Sequence, residues 1–228
     1  MRKSMAYVPA TLGWLMLMTV LLMSGIRIFG LNHESYFRLQ QRAGVTETAG
    51  ISQEDMRALD ENLAAYLSGR IESPNAEIKV YGKLQNAFNE RETAHLADCR
   101  RLFAPVCSIP GNVVLLLAGA ALVLCGGRVK FAPLPAWTAA LLLLSPLFVL
   151  GIWAAVDFRS AFAFFHRLLF SNDLWLLNPE TDLLIRICPA SMFASLGMRI
   201  GLYSAGVIAG IPALLTLCNK IADKRKRI

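Results

Sequence analysis

Four long stretches without a charged side chain constrain this chain more than any other feature of its sequence. Residues 5–26, 109–127, 131–156 and 200–219 contain no Asp, Glu, Lys or Arg. About 20 apolar residues in a helix cross the hydrocarbon core of a bilayer, and in lipid only a helix or a closed barrel satisfies its own backbone hydrogen bonds. Since 55% of the chain is hydrophobic and only 17% is charged, we predict an all-α membrane protein with four transmembrane helices.

We interpret the first stretch as a membrane anchor that stays in the protein. Its basic start, Arg2 and Lys3, would also suit a signal peptide. However, the stretch exceeds the roughly 7–15 residues of a signal peptide's hydrophobic region, and no Ala-x-Ala-like cleavage site follows it. In the second stretch, Pro, Gly and Asn at 110–112 suggest that the helix begins near Val113.

The charge distribution predicts the orientation of the helices. With both termini on one side, that side carries one acid, Asp223, and nine basic residues: Arg2, Lys3, Arg128, Lys130, Lys220, Lys224, Arg225, Lys226 and Arg227. The opposite side, residues 31–112 and 157–192, carries 12 basic and 15 acidic residues. Cytoplasmic segments of membrane proteins have an excess of Lys and Arg. The net charge of +7 therefore predicts cytoplasmic termini and does not indicate a nucleic-acid partner.

These boundaries divide the chain into seven segments. They are a cytoplasmic N-terminus with helix 1 (1–30), an extracellular domain (31–112), helix 2 with a cytoplasmic loop (113–130), helix 3 (131–156), an extracellular interfacial segment (157–192), helix 4 (193–219) and a basic cytoplasmic tail (220–228).

The extracellular domain is predicted to be a small α+β unit. Ser52 is a candidate helix N-cap with acids in the first turn after it. A helical repeat of apolar residues follows, and Gly69 is a natural stop; the repeat consists of Met56, Leu59, Leu63, Tyr66 and Leu67. Residues 76–81 alternate enough for a short strand that Gly82 ends, and residues 89–102 are again helical.

The segment between helices 3 and 4 has an unusual aromatic content. Residues 161–170, AFAFFHRLLF, contain four Phe. We interpret them as an interfacial or shallow re-entrant helix with Arg167 near lipid head groups. Trp175 is then expected at the depth of the interface. Asn178 and Pro179 predict the cap and first position of another short helix.

The chain has three histidines, and two of them have acidic neighbours. His166 can act as a general acid or base because histidine titrates near neutral pH, and Asp157, Asp173 and Asp182 surround it in sequence as candidates to orient its ring. The plain alternative is an amphipathic ring at the membrane interface. We see no supporting cluster around His33 beyond its neighbouring acid.

His95 lies in a sequence predicted to be helical, NERETAHLAD at 89–98. Glu92 precedes it by one turn and Asp98 follows it by one turn, so the three side chains share a helix face. The alternative is a solvated, charged face. Together, the two histidines indicate acid–base chemistry on a lipid-borne group.

Several other kinds of site are absent from the sequence. It has no Gly-x-Ser-x-Gly nucleophile motif, no His-Glu-x-x-His zinc motif and no Gly-rich phosphate loop. We therefore expect no metal and no cofactor. The five cysteines lack metal-site spacing, and a disulfide between Cys99 and Cys107, both on the external side, is left open.

Two sequence regions resemble the bacterial lipoprotein intramolecular transacylase family. They are residues 89–98 and residues 157–189, the second with a Phe-His pair, Asn-Asp-x-Trp, Pro-x-x-Asp and a closing Pro. The resemblance implies a four-helix protein of the bacterial cell membrane with its site on the outer face. It also implies catalysis by His95 and His166. Cys99 and Arg100, in place of an apolar residue and a lysine, and Met192, in place of an aromatic residue, depart from the family pattern.

The resemblance also implies a defined reaction. The sn-2 acyl chain of a diacylglyceryl-cysteine lipoprotein would move to the α-amine of that cysteine, giving the lyso form without any activated cofactor. We expect His166 as the main base and His95 as its partner, with Glu92 or Asp98 orienting His95. A nucleophilic acyl-imidazole route stays open.

The oxyanion of such a transfer requires a stabilising group, and Arg167 and Asn172 are the candidates. The partners would be the lipidated cysteine and membrane phospholipids, and the oligomeric state is open. The rival functions are a lipid hydrolase, an intermolecular acyltransferase, and a non-catalytic four-helix sensor or accessory subunit. A transporter is disfavoured because the apolar stretches contain no charge to line a path.

Overall fold

The structure is a computed structural model that describes residues 2–125 and 132–225. Within them the chain is helical apart from one short antiparallel hairpin. The elements are α1 Arg2–Gly30, α2 His33–Arg42, α3 Val45–Ala49, α4 Gln53–Leu67, β1 Glu77–Val80, β2 Lys83–Asn86, α5 Glu90–Cys107, α6 Ile109–Cys125, α7 Pro133–Val156, α8 Phe158–Leu169, α9 Leu183–Ile187 and α10 Ala190–Arg225.

The chain forms two compact units. Unit 1 comprises Met1–Ile26, Ser108–Gly151 and Ile200–Ile228, and unit 2 comprises Arg27–Cys107 and Ile152–Arg199. The basic residues Arg128, Lys130, Lys226 and Arg227, on which part of the predicted orientation rests, lie outside the described residues.

The apolar helices make this a multi-pass membrane protein. In the described chain, three helical segments are long and apolar enough to cross a bilayer: Ala6–Gly30, Pro133–Val156 and Ala190–Arg225. A fourth span requires α5 and α6 together, which are bent by 44° at their junction. The structure thus has three or four candidate spans where the sequence predicted four. The predicted start of helix 2 near Val113 was wrong, because α6 begins at Ile109; a proline in the first turn of a helix costs no internal hydrogen bond.

Unit 1 is held together by small residues between helices. A Cβ atom at Gly13 of α1 would lie only 2.6 Å from the carbonyl oxygen of Gly119 in α6. Such close approach of two backbones is a common way for helices to associate in a membrane. A separate buried cluster of unit 1 is Met18, Ala136, Ala139, Ala140 and Ile208.

Unit 2 has its own apolar core, built around α4. The predicted cap is confirmed, since the Ser52 hydroxyl oxygen accepts a hydrogen bond from the N–H of Asp55 at 3.0 Å. Gly69 follows the helix in a left-handed conformation with φ 79°. The predicted helical repeat is also confirmed, because all five of its side chains are buried: Met56, Leu59, Leu63, Tyr66 and Leu67.

The predicted strand is the first half of a hairpin. β1 runs Glu77–Val80, and Tyr81 and Gly82 turn the chain with φ values of 48° and 78°. Two positive φ angles match the right-handed twist of a two-residue hairpin. The second strand, β2, was not predicted because all four of its side chains are exposed, so they show no apolar alternation.

One further prediction needs correction, and one open question is answered. Residues 178–181 form a turn rather than a helix, and α9 begins only after Asp182. The Asn178 side chain accepts from the N–H of Glu180 at 3.0 Å, which closes a local turn. The Cys99–Cys107 disulfide that the sequence left open is not formed, because both are free cysteines of the same helix. Eight helical residues rise about 12 Å, whereas bridged Cα atoms lie within roughly 7 Å.

Candidate active site

His95 and His166, from distant parts of the chain, meet inside unit 2. Their ring centroids are 6.2 Å apart, and the ring planes are inclined by 36°. His95 lies on the second turn of α5, and His166 lies near the end of α8. At this separation and angle the two imidazoles are neighbours but do not stack on each other.

The backbone of α8 fixes the tautomer of His166. Its Nδ1 lies 2.8 Å from the carbonyl oxygen of Phe162, one turn earlier. A carbonyl oxygen only accepts hydrogen bonds, so Nδ1 carries the proton and donates it. In the neutral ring the lone pair is therefore on Nε2. The Asp157 carboxylate starts the same helix by accepting from the N–H of Ser160 at 3.1 Å, and so caps α8 rather than orienting the ring.

Aromatic side chains enclose His166. Ring centroids lie 4.0 Å away for Phe162, 5.1 Å for Trp175 and 5.6 Å for Phe170. Phe170 also packs edge-on against His95 at 5.2 Å. These rings reduce the exposure of His166 to water, and Phe170 contacts both histidines.

His95 is 7% exposed and has an incomplete set of partners. Its Nε2 lies 3.6 Å from the sulfur of Cys99, one turn later in α5. Its Nδ1 is buried, with no hydrogen-bond partner among the described residues. One ring nitrogen is thus anchored on the protein, and the other is free.

Burial keeps both rings neutral near pH 7. Burial, and then the neighbouring His166, lower the pKa of His95 to about 4, while Asp98 acts in the opposite direction. Burial also lowers the pKa of His166, opposed by its hydrogen bond to the Phe162 carbonyl. Because charged groups lose hydration on burial, each ring presents a lone pair at neutral pH.

Glu92 does not contact the His95 ring, although the two share a helix face. Its carboxylate accepts from the N–H of Asn89 at 2.8 Å and, across the unit, from the N–H of Leu184 at 2.6 Å. Asn89 returns a bond by accepting from the N–H of Glu92 at 2.9 Å. Glu92 therefore caps α5 and α9 at once. Burial raises its pKa against the effect of these two N–H groups.

Asp98 connects α5 to the loop after α8. It accepts from the Asn172 amide at 2.8 Å and forms an ion pair with Arg101. It makes no hydrogen bond to His95, and its effect on that ring is through charge alone. The amide of Asn172, a predicted oxyanion donor, is thus occupied in this structure.

The remaining predicted residues lie at the margin of the site. Asp182 is 4% exposed and accepts from Asn89, Thr181 and Asn178, so it organises the turn before α9. Asp173 is exposed, and its backbone carbonyl accepts from Arg91 at 2.6 Å. Arg167 is exposed on α8, and His33 starts α2.

The aromatic enclosure of His166 and the contact between Cys99 and His95 were not predicted. Phe162 precedes His166 by four residues and Cys99 follows His95 by four, which is the spacing of neighbours on a helix face. That spacing was a usable signal. Trp175 packs on His166, a contact that local sequence does not reveal; its expected position at the depth of the interface stays a prediction. Among the described residues, no group of three or more His, Cys, Asp or Glu could hold a metal ion.

Comparison with known proteins connects this site to a family. The sequence model of the lipoprotein intramolecular transacylase Lit family matches residues 11–193. The structure of the membrane integral lipoprotein intramolecular transacylase Lit from Bacillus cereus superposes with a TM-score of 0.70 at 16% identity, covering 99% of this chain and 98% of that one. A histidine-to-alanine variant of that protein gives 0.69 at 15% identity, covering 100% and 96%. No match was found among curated protein sequences. With most of its length matched by the family model and the same fold as a solved member, the chain belongs to the lipoprotein intramolecular transacylase Lit family.

Proposed function

We propose that this protein moves the sn-2 acyl chain of a diacylglyceryl-cysteine lipoprotein onto the α-amine of the same cysteine. The observation that carries the proposal is the pair of histidine rings 6.2 Å apart, His95 buried and His166 half-buried, in a chain of this family. The product is an N-acyl, S-monoacylglyceryl lipoprotein. The substrate and product have the same atoms, so the reaction is a rearrangement.

The proton balance of this reaction suits two neutral histidines. The substrate amine is an ammonium at neutral pH, and it must lose one proton before it can attack the ester carbonyl. A second proton leaves the nitrogen as the tetrahedral intermediate collapses, and the departing glycerol alkoxide gains one. One base therefore releases a proton to solvent, while another carries a proton from nitrogen to oxygen.

His166 is the better candidate for the base that holds a proton during the reaction. Its Nε2 takes the proton, and the resulting imidazolium is stabilised by the Phe162 carbonyl that its Nδ1–H already contacts. A charge on His166 then disfavours a second charge on His95, since the neighbouring His166 lowers the pKa of His95. We therefore assign His166 as the main base and His95 as its neutral partner.

The imidazolium formed in the first step also stabilises the oxyanion. It is the nearest cation to the reacting carbonyl in a water-poor site, where electrostatic stabilisation is strongest. The two sequence candidates are less suited to this role. The Asn172 amide already donates to Asp98, and Arg167 is about 100° further round α8 than His166.

The intramolecular reaction accounts for the absence of an activated acyl donor. Amine and ester belong to one molecule, and holding such groups together lowers a barrier by roughly 7–11 kcal/mol. The task of the site is then to hold the amine beside the ester and move protons.

We place the site on the outer face of the bacterial cell membrane, with both termini in the cytoplasm. The support is the excess of basic residues near the termini. Apolar side chains of α8 are exposed and suit contact with phospholipid chains: Phe164, Phe165, Leu168 and Leu169. An interfacial helix lies at the boundary between head groups and acyl chains. A site beside it would therefore be at the depth of the ester of a lipidated N-terminus.

The test is mass spectrometry of lipoprotein N-termini. The gene is expressed in a host that makes diacyl lipoproteins, and the N-terminal peptides are fragmented. We expect one acyl chain to appear on the α-amine with no change in the total mass of the peptide. A lipid hydrolase would remove the mass of one chain, and an intermolecular acyltransferase would add one.

Variants of the three histidines provide the control. His95→Ala and His166→Ala are expected to abolish acyl migration at normal membrane abundance, while His33→Ala, the matched third histidine, retains it. Migration that persists in either of the first two variants would refute the role of that residue. Unchanged migration in both would favour a non-catalytic function.

A further inference from the structure

Cys99 is the side chain in contact with the anchored nitrogen of His95. Its sulfur lies 3.6 Å from Nε2, within the reach of a hydrogen bond to sulfur. The two acids predicted to orient this ring are occupied elsewhere: Glu92 on two backbone N–H groups, and Asp98 on Asn172 and Arg101.

The contact decides which nitrogen of His95 carries the proton. If Nε2 donates to the sulfur, Nδ1 is left with an unpaired lone pair. If the thiol donates to Nε2, the proton is on Nδ1, where it is buried without an acceptor among the described residues. Buried N–H groups without a partner are rarer and more costly in proteins than acceptors short of a donor. The first arrangement is therefore favoured.

We propose that Cys99 is a positioning residue for His95. Its sulfur accepts from Nε2–H, holds the ring in one tautomer, and presents Nδ1 as the free base. This inference rests on the proposed function for its catalytic meaning, since the fixed tautomer sets which nitrogen of the neutral His95 ring can accept a hydrogen bond beside His166, the main base. His166 is held in the opposite tautomer by the Phe162 carbonyl. The two rings thus have their lone pairs on different nitrogens, and the other nitrogen of each ring contacts the protein.

Cys99 acts as an acceptor in this arrangement and not as a nucleophile. Burial raises the pKa of its thiol to about 12, and Asp98 adds to that effect. The thiolate needed for attack on an ester is therefore scarce at neutral pH. A neutral sulfur is a weak acceptor, so its loss has a modest effect, comparable to one ordinary hydrogen bond.

The direct test is nitrogen NMR of the full-length protein in detergent micelles, with ¹⁵N-labelled histidine. Three histidines give few signals, and His95→Gln identifies those of His95. We expect wild-type His95 to show a protonated Nε2 and a lone pair on Nδ1. Cys99→Ala is expected to give a mixture of tautomers. Cys99→Met, whose thioether accepts but does not donate, is expected to restore the single tautomer.

Acyl-transfer kinetics provide the second readout. Cys99→Ala is expected to lower kcat by about 2- to 10-fold, the factor of one ordinary hydrogen bond, with KM unchanged because Cys99 does not touch substrate. Cys107→Ala, in the same helix, is the matched control and keeps the wild-type rate.

Three results would overturn the proposal. They are a proton on Nδ1 of wild-type His95, a tautomer unchanged in Cys99→Ala, and an acyl thioester trapped on Cys99, which would make it a nucleophile. Absence of acyl migration in the wild-type protein would instead refute the proposed function. The NMR result would still decide whether Cys99 positions the ring.

Discussion

Replacing Glu92 is expected to destabilise unit 2 through the loss of two buried hydrogen bonds at once. The side chain is 1% exposed and accepts two backbone N–H bonds, at 2.8 Å from Asn89 and 2.6 Å from Leu184. α9 has no side-chain cap of its own from Asp182. Glu92 is therefore a cap that α5 and α9 share, and its loss leaves one N–H without an acceptor at the start of each helix.

The magnitude follows from these two bonds. Hydrogen bonds to a charged group contribute roughly 1.5–3 kcal/mol each, so two of them amount to about 3–6 kcal/mol. Burial of the carboxylate offsets part of this, as the raised pKa of Glu92 shows. We expect Glu92→Ala to lower the free energy of unfolding by about 2–4 kcal/mol. Glu92→Gln keeps one acceptor oxygen without the charge, and should cost about half as much.

Thermal unfolding of the purified protein in detergent measures this loss. A change of 2–4 kcal/mol corresponds to a decrease in Tm of roughly 5–15 °C for a chain of this length. Glu90→Ala is the matched control, because Glu90 is an exposed acid of the same first turn; it should shift Tm by no more than about 2 °C. A Glu92→Ala protein as stable as the control would refute the shared cap as a net stabilising interaction.

Three further predictions concern pH and packing. The lowered pKa values of His95 and His166 predict that acyl transfer retains its rate down to a pH below 6.5, the ordinary pKa of histidine. A half-maximal rate at or above pH 6.5 in a pH–rate profile would contradict the lowered pKa values. Burial raises the pKa of Asp60 to about 7, so between pH 4 and 7 the folded protein binds a proton that the unfolded chain releases. The contribution of Asp60 to stability therefore falls as pH rises through that window, by an amount on the order of 4 kcal/mol, and unfolding measured at both pH values should show Asp60→Asn without this decrease. In unit 1, Gly13→Ala should lower Tm because the added Cβ would lie 2.6 Å from a backbone carbonyl oxygen of α6. Gly151→Ala should not lower Tm, because no atom lies within 4 Å of its added Cβ. Equal melting curves of the two variants would contradict the close helix contact.

The sequence predicted helix α4 well, because its information is local. A cap, an apolar repeat and a terminal glycine all lie within residues 52–69, and each was found as predicted. The exposed strand β2 has no such pattern. The start of α9 was misplaced because its cap is Glu92, a residue 92 positions earlier in the chain. A cap from a residue so distant in the chain cannot be predicted from the local sequence.

The carboxylates of the site show the same difference. Helical spacing placed Glu92 and Asp98 on the face of His95, and the shared face is correct. The shared face does not determine which group each acid binds, because several donors compete for each carboxylate. Buried N–H groups at a helix start need an acceptor, and Glu92 satisfies them; Asp98 binds Asn172 and Arg101. Neither acid binds the His95 ring, and its Nε2 contacts the sulfur of Cys99 instead.

The sequence by itself determined the apolar helices, the helix carrying each histidine and the family resemblance. All of these depend on composition or on short-range periodicity. Apolar composition predicts helices that cross a bilayer, and a helical repeat predicts which side chains share a face. Only the tertiary structure decided that His95 and His166 lie 6.2 Å apart and that Trp175 and Phe170 enclose them. It also decided which ring nitrogens are left free. The reason is physical: the packing of α5 against α8 and the following loop depends on side chains distant in sequence, and burial by those side chains is what keeps both rings neutral.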